Sequence, residues 1–151
     1  MNMNDNQKNR QGWYVYVEEQ FPRLGFVIIS ALDNKTVEFS IVSENGGDTE
    51  LYFPIGKMRR IKEAIKWAIY HAEKSVNEPV SSLTAIFTGQ FQNENDGSGV
   101  LIVQVLNKGV IQLAEVGIDD DRAWICINIE IAEKIIARLD EAIAIIAHEQ
   151  K

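Results

Sequence analysis

The sequence is constrained most by an order of segments that occurs twice: several short β-rich runs, then one long amphipathic stretch. The runs of the first half are WYVYVEEQF (13–21), GFVIISAL (25–32), TVEFSIV (36–42) and ELYFPI (50–55). In the third run, apolar Val37, Phe39 and Ile41 alternate with polar residues, which is the period of a half-buried strand. Because the connections between runs are short, we predict four consecutive antiparallel strands.

A helix is predicted from about Gly56 to Ser75, directly after the fourth run. At 100° per residue its main apolar positions share one arc of about 100°, as expected of a helix that packs on a core. These positions are Met58, Ile61, Ile65, Ala68, Ile69 and Ala72. Pro79 follows soon after and prevents the helix from continuing.

The second half repeats this plan. Its runs are SLTAIFTGQFQ (82–92), GVLIVQVL (99–106), VIQLAEVGI (110–118) and RAWICINI (122–129), followed by a predicted helix from about Glu130 to Glu149. A shift of 74 residues places Ile61 on Ile135 and Ile65 on Leu139. Any two amphipathic helices can be aligned in this way, so a chance match of the helices is the alternative to a true repeat.

These patterns predict an α+β fold with two repeats of a four-stranded antiparallel sheet followed by one helix, residues 13–77 and 78–151. Because one helix covers only one sheet face, the repeats are predicted to pack as a pseudo-twofold unit in a single domain, residues 13–151. Residues 1–12 are polar and rich in Asn, so we expect a flexible tail and no signal peptide.

Composition excludes several classes of protein. The chain has 151 residues, of which 25% are charged, and its apolar runs fall far short of the roughly 20 residues that cross a bilayer. We therefore predict that the protein does not associate with a membrane. Cys126 is the only cysteine, which rules out an intrachain disulfide and favours a reducing, cytoplasmic location.

Charge is distributed unevenly along a chain whose formal net charge is −7. Residues 1–77 carry ten basic and ten acidic side chains, whereas residues 78–151 carry five basic and twelve acidic ones. Five of the basic residues lie within positions 57–66. The net charge argues against strong, indiscriminate binding to polyanions but permits a local basic site, and the acidic second half could meet a basic protein partner.

The sequence lacks a recognisable catalytic motif. His71 and His148 lie on the predicted helices without a nucleophile signature or metal-ligand spacing, and Cys126 alternates within a strand as a small packed residue. The acidic turn Asp119–Asp121 is expected to be solvated, and the segment NENDGSG lacks the ligand spacing of a calcium loop. We therefore predict a protein that is not an enzyme and that binds no cofactor or metal.

Trp67 lies outside the apolar stripe of the first helix, where a large aromatic side chain usually packs on another element. The final helix is apolar over a wide arc that includes Ile136, with Ile145 outside it. These three residues are predicted to form the interface of a homo-oligomer. Packing of Trp67 on the other repeat of the same chain is the alternative.

The passages from last strand to helix are ELYFPIGKMRRIKEAI (50–65) and AWICINIEIAEKIIARLDEAI (123–143). Together with the strand order, they resemble the positive cofactor four family and its tandem relatives, the plant Whirly proteins; the PUR repeat is similar. The resemblance covers nearly the whole chain from Trp13, is one of topology, and transfers no contact residues. It implies single-strand binding on the sheets, helices that hold the copies together, and a role in transcription regulation.

The residues themselves predict modest contact with single-stranded DNA or RNA on the first sheet. The predicted site consists of three tyrosines on the sheet face away from the core and four nearby cations: Tyr14, Tyr16, Tyr52, Arg23, Lys35, Lys57 and Arg59. Exposed tyrosines can stack on bases while cations meet phosphates. Two alternatives stay open: tyrosines that pack across strands, and an acidic protein-interaction module, of inhibitor or immunity type, without nucleic-acid binding.

Overall fold

The computed structural model describes residues 11–17, 25–32, 35–44, 47–77, 85–92, 99–117 and 121–149. The strands of the first half are β1 (Gln11–Val17), β2 (Gly25–Ala31), β3 (Thr36–Ser43) and β4 (Gly47–Pro54), followed by helix α1 (Ile55–Ser75). Those of the second half are β5 (Ala85–Gln92), β6 (Val100–Leu106), β7 (Val110–Val116) and β8 (Arg122–Ile127), followed by helix α2 (Ile129–Glu149). The chain is thus an α+β fold of repeated sheet–helix units.

Each sheet is an antiparallel meander. The first has the order β1-β2-β3-β4 and the second β5-β6-β7-β8, with hydrogen bonds between neighbours. Val37, Phe39 and Ile41 are buried as predicted, but Glu38 and Ser40 between them are also buried, so β3 is covered on both faces and the prediction of a half-buried strand is wrong. The shared order confirms that the similarity of the two halves extends beyond their helices.

Helix α1 buries the predicted stripe with small changes. Met58, Ile61 and Ile65 are fully buried, whereas Ile69 is only partly covered and Ala64, which is not part of the predicted stripe, is buried. Helix α2 similarly buries Ile135, Leu139 and Ile143, whereas Ile136 is only partly covered. Since both helices present one apolar arc, each needs a sheet to cover it.

Each helix packs mainly on the sheet of the other repeat. Helix α1 lies chiefly on β6 and β5, and α2 lies chiefly on β2 and β1. Where α1 ends, the backbone N–H of Lys108 donates to the carbonyl of Ser75 (2.9 Å), and the N–H of Gly109 donates to the Ser75 hydroxyl (3.1 Å). The turn between β6 and β7 therefore anchors the helix that belongs to the first half.

This packing corrects the predicted fold class, which treated each repeat as four equivalent strands closed by one helix. The two units are joined with their helices exchanged, so each helix covers strands of the other unit, including its edge strand, β5 under α1 and β1 under α2. The exchange follows from where α1 begins. The helix comes directly after β4, and β4 packs against β8 of the second sheet.

Two further predictions concern the N-terminal tail and association with a membrane. Strand β1 includes residues 11 and 12 of the predicted tail, while residues 1–10 lie outside the described residues. Neither α1 nor α2 is long and apolar enough to cross a membrane.

We expect Gly25→Ala to destabilise the first sheet. A Cβ at Gly25 would overlap the carbonyl oxygen of Val42 and lie 2.9 Å from the Cα of Ser43, its partner across the β2–β3 pair. Overpacking of this kind costs about 1–3 kcal/mol of unfolding free energy. Chemical denaturation monitored by circular dichroism measures the decrease.

Gly56→Ala is the matched control, because a Cβ at Gly56 meets nothing within 4 Å and the position is helical. It should leave stability unchanged or raise it slightly, since alanine favours helices. Equal stability of the two variants would contradict the β2–β3 register.

Candidate nucleic-acid interface

The start of α1 is unusual in its capping. Pro54 is the N-cap residue, with φ −66° and ψ 161°, and makes no side-chain hydrogen bond to the helix. The first turn contains no acidic residue. Helix α2 begins in the ordinary way: the Asn128 Oδ1 accepts a hydrogen bond from the N–H of Ile131 (2.8 Å), and Glu130 lies in the first turn. The two repeats therefore differ at equivalent helix ends.

Cations occupy the first turns of α1, where acidic side chains are normally favoured. Lys57 is half-buried, and Arg59 and Arg60 are exposed. The N-terminus of a helix carries a partial positive charge, so each nearby cation costs about 0.3–1 kcal/mol in the absence of an anion. A sequence that breaks a local rule in this way often does so at a functional site.

Lys35 lies beside this helix end because Thr36, the next residue, pairs with Pro54. Its backbone has φ 68°, in a turn closed by a hydrogen bond from the N–H of Lys35 to the carbonyl of Leu32 (3.1 Å). The side chain is exposed. The sheet register thus gathers Lys35, Lys57 and Arg59 near one end of the first sheet, and we call these three residues the basic end.

Tyr52 lies on β4, two residues before Pro54. It is half-buried, while its neighbours Leu51 and Phe53 are fully buried and face the core. The phenolic hydroxyl of Tyr52 donates a 2.6 Å hydrogen bond to Glu50 Oε2, along the same strand. The ring therefore belongs to the outer sheet face, next to the basic end.

The same outer face also carries acidic groups. Glu38 is buried and accepts a 2.8 Å hydrogen bond from the Ser40 hydroxyl, while Asp48 and Glu50 are exposed on β4. A phosphate would be repelled along this part of the strand. Among the described residues of this face, the basic end is the part that an anionic chain can approach favourably.

Three residues of the predicted site lie wholly or partly outside the described residues. The backbone of β1 pairs Tyr14 with Ile28 and Tyr16 with Phe26, but both tyrosine side chains lie outside the described residues, as does the whole of Arg23. Their roles stay predictions.

Helix α1 carries an aromatic cluster that was not predicted from the sequence. The ring centroids of Trp67 and Tyr70 are 5.6 Å apart at an interplanar angle of 88°, and those of Trp67 and His71 are 5.8 Å apart at 28°. The Lys74 ammonium lies 4.4 Å from the centroid of the Tyr70 ring. The i, i+3 and i+4 spacing is the signal that could have predicted this cluster.

The predicted oligomer residues do not form one surface. A groove of about 370 Å³ between the helices is lined by Lys66, Ile69, Glu133, Ile136, Ala137 and Asp140. An adjoining groove of about 400 Å³ is lined by Glu63, Lys66, Trp67 and Tyr70. Ile145 is partly buried against the core and lines neither groove. Ile145 lies nine residues after Ile136, which is about two and a half helical turns, so the two side chains are on opposite sides of α2.

A buried carboxyl group lies between the two sheets. Glu115 Oε1 accepts a 2.6 Å hydrogen bond from the Thr49 hydroxyl, and the backbone N–H of Ile41 also donates to this carboxyl group. Oε2 has no hydrogen-bond partner among the residues that the structure describes. Burial raises the pKa of Glu115 well above its ordinary value of 4.5, although both hydrogen bonds oppose the shift. Ionisation of Glu115 is therefore unfavourable in the folded protein.

This geometry predicts a pH-dependent stability. Because the pKa is higher in the folded than in the unfolded chain, the contribution of Glu115 is fully present below pH 4.5 and is lost as the pH rises through the folded-state pKa. In Glu115→Gln that decline should disappear, so the variant should gain stability relative to the native protein as the pH rises above 4.5.

Urea denaturation at a series of pH values measures this difference. Glu50→Gln, at an exposed carboxylate, is the control and should follow the native protein. A difference between Glu115→Gln and the native protein that stays constant with pH would contradict the shifted pKa.

Comparisons with known proteins add no assignment. No protein-family model matches the chain, and no curated protein sequence matches it. Within the described ranges, no three His, Cys, Asp or Glu side chains are grouped so that they could hold a metal ion. The basic end, with Tyr52 beside it, is therefore the site on which a functional interpretation rests.

Proposed function

We propose that the protein binds single-stranded nucleic acid at the basic end of its first sheet and takes part in transcription regulation. The observation that carries the proposal is the gathering of Lys35, Lys57 and Arg59 at an uncapped helix N-terminus in a protein of net charge −7. This arrangement lacks a compensating acidic residue in the first helical turn. A phosphate group is the kind of anion that a helix N-terminus and nearby cations bind.

Tyr52 supplies the second element of the chemistry. An aromatic ring beside cations can stack on a base while the cations neutralise the adjacent phosphates, and each stack is worth roughly 1–3 kcal/mol. The phenolic hydroxyl of Tyr52 donates a hydrogen bond to Glu50, and this contact orients the ring. Stacking favours single strands, whose bases are available, over duplexes.

We also propose that the protein acts as a homo-oligomer. Two basic ends in one assembly would engage one polymer at two points, which raises the overall affinity without any change in either site. Trp67 and Ile136, which line adjoining grooves on the helices, support self-association, and the residues that line these grooves include neither Tyr52 nor the basic end.

The salt dependence of binding tests the role of the cations at phosphates. In Lys57→Gln/Arg59→Gln, the slope of log affinity against log salt concentration should fall by about 0.7 for each phosphate that the variant no longer neutralises. Fluorescence anisotropy with a labelled single-stranded oligonucleotide measures this slope.

Lys108→Gln is the matched control. Lys108 occupies the corresponding turn of the second sheet with φ 64°, close to the 68° of Lys35, but lies at the C-terminal end of α1. Its substitution should leave the slope unchanged. Equal effects of the two substitutions would mean that the cations act only through the overall charge of the protein.

Two substitutions at Tyr52 separate stacking from hydrogen bonding. Tyr52→Ala should weaken binding about 5- to 150-fold, because it removes a stack worth roughly 1–3 kcal/mol. Tyr52→Phe loses the hydrogen bond to Glu50 but keeps the ring, so its affinity should stay close to that of the native protein. Equal decreases in affinity for both variants would show that the ring does not stack.

Failure of the native protein to bind any single-stranded oligonucleotide at low salt would overturn the proposal. The alternative, an acidic module that binds a basic protein, would then be favoured. Of the acidic turn predicted for that role, Asp121 is exposed, and residues 119 and 120 lie outside the described residues.

A further inference from the structure

The two helices carry opposite charge on adjacent surfaces. Helix α1 contains six basic and two acidic residues, and four of the basic ones lie outside the basic end, whereas α2 contains two basic and five acidic residues. The helices pack side by side, and the Lys62 ammonium contacts Asp140 Oδ1 at 2.7 Å across them. The adjoining groove brings Lys66 and Ile69 together with Ile136 and Glu133, so the helices run in antiparallel directions. Their solvent-facing side is therefore a positive strip beside a negative one.

The surfaces of the strips also differ in shape. On α1, Trp67 is 56% exposed and Tyr70 is 45% exposed. On α2, Ala137 and Ala144 are exposed among acidic side chains such as Glu133. Large aromatic groups thus project from the positive strip, and small side chains leave depressions on the negative strip.

We propose that a second copy of this chain binds the helix pair through a twofold axis parallel to the helices, so that α1 of each copy packs against α2 of the other. If the twofold axis lay in the interface but perpendicular to the helices, α1 of one copy would pack against α1 of the other. Like charges would then face each other. An isologous interface of the proposed kind pairs both strips at once.

The antiparallel register determines which residues meet. Rotation about an axis parallel to the helices leaves the position of each residue along that axis, its height, unchanged. Within one copy, Lys62 lies at the same height as Asp140. Lys66, one turn further along, then comes level with the partner copy's Ile136, within a turn of that copy's Glu133. Trp67 lies at the same height and faces the depression at the partner copy's Ala137.

This inference rests on the proposed self-association and is independent of nucleic-acid binding. The grooves that the second copy would fill are lined by residues of α1 and α2 and include none of the basic end. Dimerisation and oligonucleotide binding can therefore be measured separately.

Charge reversal tests the pairing. Lys66→Glu and Glu133→Lys should each weaken dimerisation at least about ten-fold, because every dimer then contains two like-charge pairs in place of two attractive ones. Sedimentation equilibrium measures the dissociation constant. Both side chains are exposed, so circular dichroism should show folded protein for each variant.

An equimolar mixture of the two variants distinguishes the geometries. In the proposed dimer, a Lys66→Glu chain and a Glu133→Lys chain form two attractive pairs, so the mixture should dimerise as tightly as the native protein. If α1 packed against α1, each single variant would dimerise as well as the native protein, and the mixture would dimerise more tightly than it. Either of those results would overturn the proposed axis.

Trp67→Ala tests the aromatic packing, with Val76→Ala as control, because Val76 is 50% exposed just beyond the end of α1. Removal of a central aromatic anchor should weaken the dimer at least about ten-fold, whereas the control should change it less than about two-fold. A native protein that remains monomeric at the highest attainable concentration would overturn both the self-association and this interface. Native dimerisation with no effect of Lys66→Glu, Glu133→Lys or Trp67→Ala would overturn this interface alone.

Discussion

The exchange of helices between the two repeats is the constraint on which the rest of the structure depends. Neither sheet is covered mainly by the helix that follows it: α1 lies chiefly on the second sheet and α2 chiefly on the first. One contiguous core therefore joins residues from both halves. Neither half can bury its apolar surface alone, so the two repeats are expected to fold as one cooperative domain.

The exchange also determines where charge appears on the surface. It brings the basic α1 and the acidic α2 together on one side of the molecule, joined by the Lys62–Asp140 ion pair. The N-terminus of α1, with Lys57 and Arg59, remains at the end of the first sheet, where Thr36 pairs with Pro54. A chain that is acidic as a whole thus has two distinct positive surfaces, and we assign them different roles.

Much of the fold could be predicted because short-range patterns determine it. The alternation around Phe39 and the stripe through Ile61 and Ile65 reflect the periods of strand and helix, and the structure has these elements within a few residues of the predicted bounds. The candidate site was less predictable. Lys35 and Tyr52 could be named as a cation in a turn and a tyrosine on a strand, but only the sheet register shows that Lys35 lies beside the start of α1.

By itself, the sequence determined the strands, the helices, their repetition and the uneven charge, because each depends on the spacing of residues close together in the chain. Only the tertiary structure decided which sheet each helix covers, that Glu115 is buried beside Thr49, and that Trp67 and Tyr70 are exposed beside a negative helix. These features depend on the packing of residues far apart in sequence. Such packing is selected by the free energy of burying the whole core, which no local pattern contains.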